Sequence, residues 1–119
     1  MDGDVYTTRE KIEKKISEIE AERGKIVESA IEKAKAISEY DREIAITTLK
    51  LRNGVIKEWE GQKTDNLTAT LIPKVAQGIC WNECLNKEAA DGMYRGVISN
   101  IEAMKSQLNG LQSINKNFE

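Results

Sequence analysis

The chain has no histidine, one proline and two cysteines, and aromatic side chains make up only 5% of its 119 residues. Without histidine there is no conventional Ser/His or Cys/His nucleophile pair, and no Glu-x-x-His signature of a di-iron bundle. A structural zinc site needs four Cys or His ligands, more than one copy of this chain supplies. The glycines form no phosphate-binding loop. No apolar run approaches the roughly 20 residues of a membrane span. The opening MDGDVYTTREK lacks the basic and apolar regions of a signal peptide. From these absences a soluble, cytoplasmic, non-enzymatic protein is expected, with no cofactor, no small-molecule substrate and no membrane partner.

What is abundant is charge, at 32% of residues, and it is evenly mixed. Residues 1–53 carry eleven Lys/Arg against twelve Asp/Glu, and residues 54–119 carry seven against eight. A nucleic-acid binder would present a basic run or face, and a DNA mimic a dense acidic one. With little proline and few aromatic or β-branched clusters, the composition describes long amphipathic helices in a single domain.

The first helix is predicted over about residues 8–53. Thr7 and Glu10 have the spacing of a capping box, which would start it. Apolar residues then step by fours and threes through Ile12, Ile16, Ile19, Ile26, Ala30, Ile37, Tyr40, Ile44 and Leu51, a heptad seam with Arg23, Lys33 and Thr47 in the slots between. A second stripe, Val27, Ile31, Ala34 and Ala45, is expected to widen the buried face. Asn53–Gly54 suits a left-handed stop.

Residues 54–69 form a connector in which Val55, Ile56 and Trp59 suggest a short packed helix, the alternative being a functional loop. A second long helix is predicted over about 70–116, capped by Thr70 with Pro73 in its first turn, where a missing N–H costs no hydrogen bond. Its cleanest part spaces Ala90, Tyr94, Val97, Ile101, Met104, Leu108 and Leu111 at 4-3-4-3-4-3. Gly78, Gly92, Gly96 and Gly110 fit close approach of a neighbour or a bent axis.

The expected fold is all-α, an antiparallel coiled-coil-like helical hairpin. Two helices leave the heptad stripe half covered, so its residues Ile12, Ile16, Ile19, Ile26, Ile37, Ile44, Tyr94, Val97, Ile101, Met104, Leu108 and Leu111 are expected to form the seam of a dimer or higher bundle. The alternative is a monomeric three-helix bundle with the connector as third helix.

Cys80 and Cys84, at i and i+4 beside Trp81, face the same way on a helix. Extending the heptad back from Ala90 puts Cys80 in the seam, where cysteine acts as a small hydrophobe. The competing reading is a zinc-stapled oligomer in which two copies contribute four thiolates. A redox pair is poorly served by this spacing.

The tail MYRGVISNIEAMKSQLNGLQSIN, with TLKLRNG upstream, resembles small helical proteins of unassigned role encoded by bacteriophages and prophages. In those, a Tyr-Arg near the start of the last helix accompanies a Leu-Gln-Ser near its end; here these are Tyr94, Arg95, Leu111, Gln112 and Ser113. The resemblance covers about the last quarter of the chain and implies an accessory protein of the host cytoplasm, beside recombination or replication functions or against host defence. It carries over no catalytic or ligand residue.

The leading functional reading is therefore a helical binding or assembly protein that pairs with itself and with another protein. Its candidate partner-binding residues are Trp59, Trp81 and Gln112, because tryptophan in an aromatic-poor chain serves either a core or an interface. The polar tail SQLNGLQSINKNFE is a second candidate surface. The alternative class is a nucleic-acid-binding accessory protein using a stripe of Lys11, Lys14, Lys15, Lys25 and Arg52.

Overall fold

The computed structural model describes residues 2–117, with side chains from Thr7 onward. Its elements are α1 (Asp2–Arg52), β1 (Glu58–Trp59), β2 (Gln62–Lys63), α2 (Leu71–Ile79) and α3 (Trp81–Lys116). The fold is all-α apart from one small hairpin, and the two long helices pack against each other. They serve two compact units: one takes α1 up to Ile31 and α3 from Gly92, the other runs from Glu32 to Asp91.

Helix α1 begins at Asp2, not at the capping box. Thr7 lies inside it, since threonine in a helix interior costs at most about 0.7 kcal/mol and no proline bars the upstream turn. The inward-facing positions are Thr8, Ile12, Lys15, Ile19, Glu22, Ile26, Ala30, Lys33, Ile37, Tyr40, Ile44, Thr47 and Leu51, all buried or half-buried. The steps alternate four and three except at Glu22, Ile26 and Ala30, where two fours follow each other and locally unwind a heptad winding. Two slots differ from expectation. Lys15 takes the place assigned to Ile16, which stays 40% exposed. A lysine stem can cover the seam while its ammonium reaches out, here to Glu18 at 2.8 Å. Glu22, and not Arg23, fills the next slot.

In the first unit the core is thin. Ile19 and Ile101 are buried, while Ile12, Ile26, Tyr94, Val97, Met104, Leu108 and Leu111 are half-buried. The Glu22 carboxylate accepts from Lys25 Nζ at 2.7 Å and from Asn100, which together hold it below the usual carboxylate range. It stays ionised at neutral pH and spans the seam.

In the second unit the last stretch of α1 packs on Cys80, at the break after α2, and on the start of α3. Leu51, Thr47, Thr64, Ala76 and Cys80 are its buried side chains, with Ile37 and Ile44 half-buried. Polar pairs run along the same interface: Lys33 with Asp91 at 3.0 Å, and the Lys87 ammonium 4.2 Å from the centre of the Tyr40 ring. Residues 47 with 80, 40 with 87 and 33 with 91 pair in reverse order, which makes the helices antiparallel here.

The connector is a hairpin, not the expected short helix, so no third helix forms there. The α1 stop has a Schellman pattern, with Val55 N–H bonded to the Lys50 carbonyl at 2.9 Å and Gly54 N–H to that of Leu51 at 3.3 Å, Gly54 having φ +71°. The chain then turns at Glu60–Gly61, both with positive φ (51° and 77°), between the partners Trp59 and Gln62. Two positive values make the type I′ geometry that matches strand twist. A helix over this short segment would have held Gly61 in its interior. Thr64, itself buried, ties the hairpin down by donating from its hydroxyl to the Ile56 carbonyl at 2.7 Å.

Glu60 is an ordinary L-residue in the left-handed region, which costs it roughly 1–2 kcal/mol that asparagine largely escapes. Glu60→Asn is therefore expected to raise stability by about 0.5–1 kcal/mol in urea unfolding. An unchanged midpoint would show that this turn is not what limits the hairpin.

The predicted second helix is interrupted at Cys80, whose ψ of 29° departs from helical values although its N–H still bonds the Ala76 carbonyl and its own carbonyl accepts from Cys84. The indole of Trp59 lies across Gly78, where an added Cβ would sit 2.5 Å from Cη2 and 2.8 Å from Cζ2. Close approach explains this glycine alone. Nothing lies within 4 Å of the corresponding positions at Gly92, Gly96 and Gly110. The cap of α2 also shifts: Thr70 makes no side-chain cap bond, and the Thr68 hydroxyl accepts from Leu71 N–H at 3.3 Å.

Candidate interaction surfaces

Each sequence-level candidate now has a place. Cys80 is buried, its sulfur 3.3 Å from the Thr47 hydroxyl, and Cys84 is half-buried one turn on; both are free thiols. Cys80 faces into the interface with α1. A thiolate site shared with a second copy would have to take Cys80 out of its contact with Thr47. Among the described residues, no group of three or more Cys, Asp or Glu side chains is gathered to hold a metal ion.

The two tryptophans differ. Trp59 is half-buried and seated on Gly78, so its ring fastens the connector to α2. Trp81 opens α3 and is 64% exposed, followed one turn later by exposed Leu85. Gln112 is exposed near the end of α3, in the tail segment whose last two residues lie outside those described. Composition marks both tryptophans as notable; only packing separates a fastener from a free ring.

The second stripe of α1 is not buried. Val27 is 64% exposed, Ile31 50% and Leu49 57%, and Ala34, Ser38 and Ala45 are exposed as well. A hairpin offers α1 one neighbouring helix face, and the first seam takes it. The residues of that seam, Ile16 apart, are buried or half-buried within the chain, and the stripe stays open. Leu49 belongs to it; period-seven spacing from Val27 slips by one residue there, which hid it in the linear pattern.

Of the basic residues, Lys15 and Lys25 are held by Glu18 and Glu22, at 2.8 and 2.7 Å. The Glu18 carboxyl lies below its usual range, mainly through the hydrogen bond from Lys15. Lys11, Lys14 and Lys15 line an open groove of about 490 Å³ with Glu18, Gln107, Gly110, Leu111 and Ile114. This groove was not legible from the sequence, because it needs two segments almost a hundred residues apart. Among the described residues, no helix is long and apolar enough to cross a membrane. No protein-family model matches the chain, and neither a curated protein nor a solved structure is significantly similar to it.

Proposed function

We propose that the protein is a non-enzymatic assembly module that joins a second copy of itself through the exposed stripe of α1. The observation that carries this reading is the symmetry of that stripe. Around Ser38, positions 4, 7 and 11 residues away in each direction hold Ala34 and Arg42, Ile31 and Ala45, Val27 and Leu49. A two-fold interface requires that residue i of one copy meet residue j of the other and the reverse. An antiparallel crossing at Ser38 satisfies this by setting Val27 on Leu49 and Ile31 on Ala45, twice over. It also brings Lys35 of one copy toward Asp41 of the other, so the flanking charges match. Nearest the crossing, Ser38 meets its mate and Ala34 leaves room for the longer Arg42 of the other copy.

Light scattering after size exclusion should give twice the chain mass. Val27→Glu with Ile31→Glu should return it to one chain mass with helicity unchanged, because both side chains are already solvent-facing in the single chain. Register has its own test. In a Cys84→Ser background, Ser38→Cys lies beside its mate on the two-fold axis and should oxidise to a covalent dimer, whereas Val27→Cys should not. A single-chain mass at every concentration tested defeats the proposal.

A further inference from the structure

The groove in the first unit differs from the stripe in chemistry and in place. Its floor is apolar, from Leu111 and Ile114 of α3, and Gly110 leaves a notch, with no heavy atom within 4 Å of where a Cβ would stand. Its α1 wall is cationic. Lys15 is satisfied by Glu18, but among the described residues neither Lys11 nor Lys14 has an ion-pair partner. Three lysines against one glutamate leave the lining net positive.

We infer that this groove docks an amphipathic helix from a different protein, with acidic residues beside its apolar stripe. A cleft between two packed helices accepts a third at the usual 8–10 Å spacing, with apolar anchors at i, i+3 or i+4, and i+7. Here the anchors lie along Leu111 and Ile114, one large side chain enters the notch at Gly110, and carboxylates on the flank meet Lys11 and Lys14. A second copy of this chain is the poorer occupant. The exposed stripe of α1 carries both signs of charge, Glu28 and Asp41 with Lys35 and Arg42, and does not complement a cationic wall. Part of the tail suspected from sequence alone thus becomes one side of a built cleft. The inference rests on the reading of the protein as a binding module and is independent of its self-association.

The probes are two labelled synthetic helices of about 20 residues, near 30 Å long, with the same leucine stripe and either glutamate or lysine flanks. Fluorescence anisotropy at about 50 mM salt, where screening is weak, is expected to show the glutamate helix binding about tenfold tighter or more, a difference of roughly 1.4 kcal/mol. Gly110→Trp fills the notch and should abolish that binding, while circular dichroism and molar mass stay as in the parent. Lys11→Glu with Lys14→Glu should reverse the preference toward the lysine helix. Equal binding of the two helices, binding of neither, or full affinity in Gly110→Trp overturns the inference. A single-chain mass together with charge-selective binding would sink self-association and leave the groove standing; a dimer with no peptide binding would do the opposite.

Discussion

Gly78→Ala is expected to lower stability by about 1–3 kcal/mol, although the same change in a free helix would raise it by about 1 kcal/mol. The reason is the indole of Trp59, whose Cη2 would lie 2.5 Å from the new methyl carbon, closer than carbon atoms approach. A ring is not the loose end of a flexible chain, so either α2 or the hairpin must move. The hairpin is held by the Thr64 hydroxyl on the Ile56 carbonyl, and α2 by buried Ala76 and the Cys80–Thr47 contact. Neither moves alone. Removing the ring should change the sign: in a Trp59→Ala background, Gly78→Ala is expected to be neutral or stabilising by up to about 1 kcal/mol, since only helix propensity remains. Urea unfolding of the four proteins of this double-mutant cycle measures the coupling. Additive changes would mean that the ring does not rest on Gly78.

Ile101→Ala should be more damaging still, costing about 2–5 kcal/mol. A chain of this length is worth only about 6–18 kcal/mol in total, so a large share of the first unit's stability rests on this one side chain and its buried counterpart, Ile19. The lower end of the range is expected, because a two-layer core collapses around a lost side chain more easily than a closed one. Ile16→Ala is the control. Ile16 has the same chemistry and the same sequence-level standing, yet at 40% exposure it should shift stability by no more than about 0.5 kcal/mol. Denaturant midpoints at unchanged m-value separate the two. Equal losses would show that Ile16 is covered in solution, as it would be if a partner helix lay over it.

That contrast shows how far a linear pattern reaches. The 3.5-residue period marks which helix face is apolar, and it placed Ile19, Leu51 and Ile101 inward. It does not choose between neighbouring candidates for one slot. Lys15 or Ile16, and Glu22 or Arg23, differ by a fraction of a helical turn, and the choice follows from what stands opposite. For Glu22 that is Asn100. The stop at Asn53–Gly54 was legible because a left-handed residue after a helix is a local demand that glycine meets. The hairpin was not. Glu60–Gly61 is a poor type I′ turn by composition, and residues 58–63 pair as strands in a context where Trp59 has Gly78 to rest on.

The interaction surfaces divide in the same way. Two apolar stripes on the first helix, two free cysteines on one face and a conspicuous Trp81 follow from residue order alone, because helical spacing converts position into direction. Which stripe is consumed within the chain and which stays open depends on where α3 lies, as do the burial of Cys80 against Thr47 and the fastening role of Trp59. The groove of Lys11, Lys14, Leu111 and Ile114 needs both helices in place before it has walls at all. Local geometry and periodicity are properties of a segment and can be read from it; burial is a property of pairs of segments distant in the chain, and only the folded arrangement determines it.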